Sequence, residues 1–387
     1  MADFFDVDGL SGDQVLLRDN IRRYLKEKVS PLIAKAEADK RFPYEALDGL
    51  ADFGYLGGTL PESAGGLGVD FPTWAVMMEE LGYCWLSLRV MVNTLNIVAG
   101  IVGTYGNEEQ KERFMRPLLG NRRRTFVSIS EPDVGSNVAE IKTRADKRGD
   151  HYLLSGSKLW VTGGMFADFG IVVARTFSDS CDGELSLFLV EKAHTRFDVR
   201  PVETMFVRST GTAAFSFEEA VVPAANLLGQ EGAGLRQILI GLNFGRLNVA
   251  MGAVGAAQSA LDLSVQYALD RKQFGRPIGS FQLVQKHIVD MTMKTQASRA
   301  LGYRAARVMQ SGQPARLECS VAKLYATEAA HQVANLALQV HGGMGYATEC
   351  PIERIFRDTR GGLIPEGTTE IQTLIIGREI LGISALT

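Results

Sequence analysis

The stretch His151-Tyr-Leu-Leu-Ser-Gly-Ser-Lys-Leu-Trp-Val161 marks the point where helical periodicity gives way to a different pattern. It is short and rich in aromatic and aliphatic residues, as β-strands are. Three further segments of this kind follow at 169–176, 185–191 and 212–217, separated by turns of Gly, Asp and Ser. Their lengths and spacing predict an antiparallel β unit of roughly one hundred residues.

Helical periodicity flanks this β unit on both sides. From residue 13 to about residue 120, apolar residues recur mostly at three- and four-residue steps. From about Gly232 the same period returns, and 319–338 is a long helical stretch without Pro or Gly. We therefore predict an α+β chain of three domains: an N-terminal all-helical domain at 1–122, a middle β domain at 123–231 and a C-terminal helical bundle at 232–387.

Composition excludes several classes of protein. The chain has 387 residues, 46% hydrophobic and 22% charged, which rules out a disordered, collagen-like or disulfide-scaffold protein. Its 41 Lys and Arg against 44 Asp and Glu give a net charge of -3, so no basic face for nucleic acid is expected. The compact basic run Arg122, Arg123 and Arg124 is interpreted as a solvated loop or helix end.

Cysteine usage and the N-terminus indicate a compartment. The four cysteines lie far apart without a CxxC motif, which predicts reduced thiols. The stretch MADFFDVDGLSGDQ lacks the basic-then-apolar pattern of a signal peptide. No stretch reaches the roughly 18 uninterrupted apolar residues of a membrane span, since 88–105 is interrupted by Arg89, Asn93 and Asn96. We predict a soluble, cytoplasmic protein.

Several catalytic motifs are absent from the sequence or incomplete. Gly232-Ala-Gly234 lacks the third glycine of a dinucleotide fingerprint and follows no βαβ unit. No P-loop, HExxH or zinc-finger spacing occurs, and His341 has no partner at ligand spacing, so no metal is predicted. A Ser-His-Asp triad is compatible with the spacing, but no GxSxG elbow supports one.

Five segments combine Gly-rich turns with polar residues inside apolar sequence. In chain order they are 128–137 (SISEPDVGSN), 158–162 (KLWVT), 271–275 (RKQFG), 339–345 (QVHGGMG) and 364–372 (IPEGTTEIQ). Their order and separation, with the helix–β–helix layout, resemble the acyl-CoA dehydrogenase family over essentially the whole chain. The resemblance implies that family's fold with a C-terminal four-helix bundle, non-covalent FAD, and oxidation of the α–β bond of an acyl-CoA thioester. In such enzymes a carboxylate removes the α-proton while a hydride leaves the β-carbon for flavin N5.

The resemblance places the catalytic base at Glu366. An isolated α-proton is too weakly acidic for a carboxylate near its usual pKa of about 4.3, so such a site must stabilise the enolate and exclude water. The family's Tyr-Glu-Gly-Thr motif falls on 365–368, where Gly367 lets the backbone approach the ligand. The base position of the branched-chain members corresponds to Gly245, which has no side chain to offer. The alternative interpretation of Glu366 is a turn residue.

The flavin-site residues are carried over from the same resemblance. Ile129, Ser130, Trp160 and Thr162 resemble the wall and hydrogen bonds around the isoalloxazine, and Ser136 resembles a serine near the pyrophosphate and CoA. Core packing is the alternative role of Trp160.

A second group resembles an arm that crosses to a neighbouring subunit's FAD, which implies a homotetramer built as a dimer of dimers. This group comprises Arg271, Gln273, Phe274, Gln339, Gly342 and Gly343. Arg271 has the alternative role of a surface ion-pair residue. Thr368 and Glu370 resemble residues at the FAD diphosphate or adenosine end, and Arg246 an arginine near the CoA end of the substrate.

The sequence departs from the family pattern around the substrate. Pro365 stands where the family usually has Tyr, which predicts an acyl pocket suited to a bulky, cyclic or functionalised group. Asn137 and Asn243 replace residues that are commonly acidic, which favours a carrier other than free CoA or reflects neutral drift.

Arg89 is a charge inside a largely apolar run. Glutaryl-CoA dehydrogenases, which the chain resembles at 267–275 (YALDRKQFG), place an arginine within about one position of this one to hold a distal carboxylate. Arg89 therefore indicates an acidic substrate, or alternatively an ion pair with Glu79 or Glu80.

Three functions follow from these patterns. The leading hypothesis is an FAD-dependent acyl-CoA dehydrogenase that passes electrons to an electron-transferring flavoprotein. The second is a dehydrogenase, oxidase or reductase acting on a carrier-protein-bound or dicarboxylyl thioester. The third is a helical scaffold without catalysis, against which the presence of Glu366, Thr162 and Arg271 argues.

Overall fold

The computed structural model describes residues 9–385, apart from the side chain of Ile240. The first eight residues, where the acidic N-terminal stretch begins, and the last two lie outside the described residues. The described chain is helical as far as Leu119, forms strands between Thr125 and Leu228, and is helical again from Gly234. The predicted α+β fold class is confirmed.

The N-terminal helices begin at side-chain caps. Ser11 and Gln14 form a reciprocal capping box at the first helix, with Ser11 Oγ accepting from the Gln14 backbone N–H. Asp70 caps the third helix, and Pro72 follows in its first turn. The helices are α1 (Gly12–Tyr24), α2 (Ser30–Asp39), α3 (Phe71–Cys84), α4 (Leu86–Tyr105), α5 (Glu108–Gln110) and α6 (Arg116–Leu119), with π-helical turns at Leu25–Val29 and Lys111–Met115.

A mixed sheet forms the middle of the chain. Its strands are β1 (Thr125–Ser128), β2 (Arg144–Arg148), β3 (His151–Val161), β4 (Phe169–Ser178), β5 (Cys181–Glu191), β6 (Asp198–Pro201), β7 (Ala213–Pro223) and β8 (Leu227–Leu228). Seven of them follow the order β6-β7-β3-β2-β4-β5-β8, and β1 lies off this path and pairs with β4. Most pairs are antiparallel, as the sequence predicts, but β1 and β2 both run parallel to β4. β1 pairs with the first half of β4 and β2 with the second half, so the segment 129–143 leaves the sheet between them. Residues 129–137 of the motif SISEPDVGSN therefore lie outside the sheet.

Long helices form the C-terminal part. They are α7 (Gly234–Asp270), α8 (Gln282–Gln310), α9 (Arg316–His341), α10 (Pro351–Gly361) and α11 (Thr369–Leu381), with the short hairpin β9 (Lys272–Gln273) and β10 (Arg276–Pro277) after α7. Helices α7, α8 and α9 pack on one another and α11 packs along α9, which gives the predicted four-helix bundle. Helix α3 packs on α7 and α8, so one core runs through both helical parts.

Helices α4 and α7 are long and apolar enough to cross a membrane by length and hydropathy alone. Their most apolar windows are 89% and 71% buried inside the protein, as those of core helices are. The polar residues Arg89, Asn93 and Asn96 of α4 are themselves buried, so this helix carries polar groups into the interior.

All four cysteines are free thiols, as predicted. Across residues 9–385, no cluster of three or more His, Cys, Asp or Glu side chains is arranged to hold a metal ion.

Glycines set the close approach of α3 to α7. A Cβ on Gly255 would lie 2.0 Å from the Glu79 carbonyl oxygen, and one on Gly82 would lie 2.1 Å from the Gly252 carbonyl oxygen. These are backbone contacts between two packed helices, and such helices cannot yield without moving apart.

We expect Gly255→Ala to lower the free energy of unfolding by about 2 kcal/mol, because overpacking outweighs the helix propensity gained. Urea unfolding measures the change. Gly377→Ala in α11 is the matched control, since its Cβ would meet nothing within 4 Å. Equal stabilities of the Gly255→Ala variant and the wild type would contradict this packing account.

Candidate active site

The loop between α10 and α11 presents Glu366 in a strained conformation. Glu366 has φ +58 and Gly367 has φ +97. A positive φ is unfavourable for a residue with a side chain, and such strain concentrates at functional sites. The buried Lys323 of α9 donates hydrogen bonds to the carbonyl oxygens of Leu363 (2.9 Å) and Gly367 (2.8 Å), and Gln372 Nε2 donates to the Glu366 carbonyl (3.0 Å). The loop is thus held from two helices.

The two carboxylate oxygens of Glu366 have different surroundings. Oε1 accepts a hydrogen bond of 2.6 Å from Asn93 Nδ2, whereas Oε2 is buried without a hydrogen-bond partner. Burial raises the pKa of Glu366, while Arg89, Asn93, Arg246 and Lys323 oppose that rise. A desolvated carboxylate with one free oxygen and a raised pKa has the properties of a general base.

Helix α7 leaves space for this carboxylate at Gly245. A Cβ on Gly245 would lie 1.8 Å from Glu366 Oε2. Gly245, which corresponds to the base position of the branched-chain members, therefore forms the wall against which the Glu366 carboxylate packs.

A cavity of about 220 Å³ opens in front of Glu366. It brings together the sequence-predicted residues Arg89, Ile129, Ser130, Thr162, Pro365, Glu366 and Gly367. The walls come from α4, from the segment after β1, from the end of β3 and from the loop before α11. The cavity thus lies where all three parts of the chain meet.

A buried ion pair positions the segment after β1. Lys158 Nζ donates to Glu131 Oε1 (3.0 Å) and to the Ile129 carbonyl (2.9 Å), and Glu131 also accepts from the Thr143 N–H. Burial lowers the pKa of Lys158 to about 8, against the opposing effect of Glu131. The Leu159 N–H donates to the Ser130 carbonyl (2.9 Å), so β3 fixes this wall of the cavity.

Trp160 and Ser136 lie at the exposed side of this wall. Trp160 has φ +62 and its side chain is 57% exposed, so the alternative role in core packing is wrong. An exposed indole beside Ser130 and Thr162 offers a face on which a planar ring can stack. Ser136 is exposed between Gly135, which lines the cavity, and Asn137.

Arg246 and Asn243, which are predicted to lie on the substrate side, contact each other. Arg246 is buried, its Nη1 donates to Asn243 Oδ1 (2.8 Å), and its Nε has no hydrogen-bond partner. Burial lowers the pKa of Arg246, while Glu366 opposes this effect. Thr368 caps α11 by accepting from the Ile371 N–H, and Glu370 is exposed in the first turn of α11.

The second predicted group lies at the opposite end of the bundle. Its members on the β9–β10 hairpin and at the end of α9 are exposed: Arg271, Gln273, Phe274, Gln339, Gly342 and Gly343. Tyr267 stacks on His341 with ring centroids 4.4 Å apart and joins these two ends. Arg271 follows Gly245 by 26 residues of α7, roughly 39 Å along the helix axis. The group is therefore separate from the Glu366 cavity of its own chain.

Arg89 is a buried cation in the cavity wall. It is 3% exposed and its Nε has no hydrogen-bond partner. Glu79 accepts from Arg299 and Glu80 accepts from Arg22, so the expected ion pair of Arg89 with Glu79 or Glu80 is wrong. Burial lowers the pKa of Arg89 to about 10, against the opposing effects of Glu366 and Asp358.

Sequence reasoning missed the residues that hold the site from behind. They are Asn93, Glu131, Lys158, Asn248, Lys323 and Gln372. Asn93, Asn248 and Lys323 have one signal in the sequence, a polar residue inside an apolar helix. Glu131, Lys158 and Gln372 stand within the quoted motifs, where no role was assigned to them.

Comparison with known proteins identifies the class. Three family models match consecutive parts of the chain: acyl-CoA dehydrogenase, N-terminal domain at residues 11–122, middle domain at 127–220, and C-terminal domain at 232–381. The chain belongs to the acyl-CoA dehydrogenase family and is an FAD-dependent oxidoreductase.

Individual relatives agree over nearly the whole chain. The probable acyl-CoA dehydrogenase YngJ of Bacillus subtilis is 35% identical, with 96% of this chain and 99% of the relative covered. The caffeyl-CoA reductase-Etf complex subunit CarC of Acetobacterium woodii is 34% identical, covering 92% and 94%. A glutaryl-CoA dehydrogenase structure from Mycobacterium smegmatis in complex with FADH2 has a TM-score of 0.93 at 26% identity, covering 99% and 98%.

Proposed function

We propose that the protein catalyses FAD-dependent α,β-dehydrogenation of an acyl-CoA thioester, with Glu366 as the base that removes the α-proton. The observation that carries this proposal is Glu366 Oε2, a buried carboxylate oxygen without a hydrogen-bond partner in the wall of a cavity. Arg246 and Asn243 belong to the substrate side of the site in this proposal, and Ser136 to its mouth.

The chain's own residues do three things in this reaction. Glu366 Oε2 accepts the α-proton, and the electron pair of that C–H bond forms the new double bond. The Glu366 N–H donates to the thioester carbonyl oxygen, where negative charge develops. Pro365 and Gly367 form the adjoining wall, and burial of the carboxylate keeps water from competing for the proton. FAD, when bound, supplies the acceptor for the hydride that leaves the β-carbon.

Residues of two chains hold the flavin in this proposal. Ile129, Ser130, Trp160 and Thr162 form its wall, and the exposed indole of Trp160 supports this assignment. Thr368 and Glu370 lie toward its diphosphate or adenosine end.

The second predicted group, here called the arm group, completes the flavin site of a neighbouring subunit in this proposal. Its residues are Arg271, Gln273, Phe274, Gln339, Gly342 and Gly343. Each site then needs two chains, and we propose that they assemble as a homotetramer built as a dimer of dimers. The separation of roughly 39 Å along α7 supports this arrangement, because one chain cannot bring both groups to one flavin. Phe274 also supports it, since its ring is 93% exposed in the single chain.

Anaerobic reduction of the bound flavin tests the activity. The purified enzyme is expected to bleach when its acyl-CoA is added, and a panel of straight, branched, cyclic and dicarboxylyl thioesters identifies the acyl group. Absence of bleaching with every thioester, on either CoA or a carrier protein, would contradict the proposal.

An electron-transferring flavoprotein is the proposed electron acceptor, which the relationship to a reductase–Etf complex subunit supports. The cytoplasmic location and the boundaries at 122/123 and 231/232 remain predictions.

A dicarboxylyl thioester is the second candidate substrate. Arg89 supports it, because a buried guanidinium in the cavity wall with an unpartnered Nε suits a carboxylate.

We expect Arg89→Met to lower the ratio of kcat/KM for a dicarboxylyl thioester to kcat/KM for the matched monocarboxylyl thioester about tenfold or more. The ratio cancels the separate effect of Arg89 on the pKa of Glu366. Arg89→Lys keeps the charge without the planar guanidinium, and its ratio is expected to fall between those of the wild type and Arg89→Met. An unchanged ratio in Arg89→Met would exclude Arg89 as the carboxylate ligand.

A further inference from the structure

Three hydrogen bonds connect the buried indole of Trp74 to Glu366. Trp74 Nε1 donates to Asn248 Oδ1 (2.8 Å), Asn248 Nδ2 donates to Asn93 Oδ1 (2.7 Å), and Asn93 Nδ2 donates to Glu366 Oε1 (2.6 Å). Trp74 and Asn248 are fully buried and Asn93 is 4% exposed. The three residues lie on α3, α7 and α4, so the connection crosses the interface of three helices.

The direction of these hydrogen bonds is fixed at one end. An asparagine amide can present either its oxygen or its NH₂ to a neighbour, but an indole nitrogen can only donate. Trp74 therefore requires the oxygen of Asn248, which turns the Asn248 NH₂ toward the oxygen of Asn93. The Asn93 NH₂ is left to face Glu366.

This fixed direction distinguishes the two protonation states of Glu366. An ionised carboxylate accepts from the Asn93 NH₂ through a charge-assisted hydrogen bond, which is stronger than the one that the neutral acid, protonated at Oε2, accepts through its Oε1 carbonyl. A carboxylic acid protonated at Oε1 would have to donate to Asn93, which requires both amides to reverse, and the reversed Asn248 NH₂ would face the Trp74 N–H. Two donors would then confront each other in the dry core, which is unfavourable.

We propose that Trp74, Asn248 and Asn93 are positioning residues that hold the catalytic base ionised and fix which of its oxygens faces the substrate. The proposal rests on the assignment of Glu366 as base. With Oε1 engaged by Asn93, Oε2 is the oxygen left free to accept the α-proton.

Other charged groups face Glu366 from each packed element. Arg89 approaches from α4, Arg246 from α7 and Lys323 from α9, and all three favour the carboxylate. The test variants leave these three cations in place, so a change in titration reports the hydrogen bonds alone.

The pH dependence of flavin reduction tests the proposal. Loss of the donor in Asn93→Ala raises the pKa of Glu366, so the acid limb of the profile is expected to move up by about one pH unit. The rate is then about tenfold lower on that limb and approaches the wild-type rate at higher pH. Trp74→Phe keeps a six-membered aromatic ring and removes the pyrrole ring with its N–H, and a smaller shift in the same direction is expected. This variant also serves where Asn93→Ala does not fold.

Asn96→Ala is the matched control, because Asn96 is equally buried one turn further along α4 but donates to the Tyr55 and Val92 carbonyls. Its acid limb is expected to coincide with that of the wild type. An unmoved acid limb in Asn93→Ala would overturn the proposal. A shift of the acid limb in Asn93→Ala with no shift in Trp74→Phe would overturn the role proposed for Trp74 and Asn248.

Infrared titration of Glu366 separates this proposal from the proposed function. The carboxyl band is assigned by subtracting the spectrum of Glu366→Gln, and no turnover is required. A higher midpoint of the Glu366 titration in Asn93→Ala and Trp74→Phe supports the positioning role of Trp74, Asn248 and Asn93, even if another residue proves to be the base. Equal midpoints of the Glu366 titration in the wild type and all variants overturn this positioning role, whatever their activity.

Discussion

Glu366→Gln is expected to slow flavin reduction by acyl-CoA about a thousandfold or more, since a general base and its alignment contribute effects of this size. The amide has the size and shape of the carboxylate and can still accept from Asn93 Nδ2, so the loop between α10 and α11 keeps its conformation. It has no basic oxygen, however, and the α-proton then has no acceptor within the cavity wall. Anaerobic stopped-flow measurement of flavin bleaching gives the rate directly.

The comparison for this variant is Glu218→Gln, an exposed carboxylate on β7. Flavin content and thermal midpoint are expected to match the wild type in both variants, with loss of bleaching confined to Glu366→Gln. Wild-type bleaching by Glu366→Gln would mean that the base lies elsewhere, and it would leave the cavity as a binding site without this chemistry.

Gly245→Ala is expected to lower the rate of flavin reduction about a hundredfold without lowering stability. The added Cβ would lie 1.8 Å from Glu366 Oε2, so one of them must move. The backbone of α7 is fixed by packing, whereas the carboxylate is the end of a flexible side chain, so the carboxylate moves. A displacement of about 1 Å at a reacting group is enough to cost a factor of this size.

The stability of this variant is informative because alanine is a better helix former than glycine by about 1 kcal/mol. Gly100→Ala in α4 is the control, because its Cβ would meet nothing within 4 Å. Its change in the free energy of unfolding measures the gain in helix propensity without any new contact. Wild-type activity of Gly245→Ala would show that the Glu366 carboxylate acts from a position away from Gly245.

The sequence predicted the order of the elements, and the family resemblance placed the carboxylate at Glu366 and no side chain at Gly245. Both follow from local patterns: the period of the apolar residues sets the element type, and a short motif carries the base. The parallel pairing of β1 and β2 with β4 was not predictable, because strand direction depends on chain paths that local patterns do not encode.

The surroundings of the base were predictable only in part. Asn93 and Asn96 entered the sequence argument merely as interruptions of an apolar run, yet one contacts the base and the other does not. The partners of Asn93 are 155 and 273 residues distant in the chain, so their contact is a product of packing among α4, α7 and the loop before α11. Arg89 has no ion pair with Glu79 or Glu80 because these carboxylates accept from Arg299 and Arg22, which are 220 and 58 residues distant from them in the chain.

The length of α7 has a consequence for how the enzyme responds to dilution. Each chain carries the base and cavity near one end of this helix and the arm group at the other, so under the proposed assembly every flavin depends on two chains. Completeness of a site then becomes a property of protein concentration rather than of the folded subunit. As subunits separate, flavin retention and turnover would decline together, while each subunit kept its own fold.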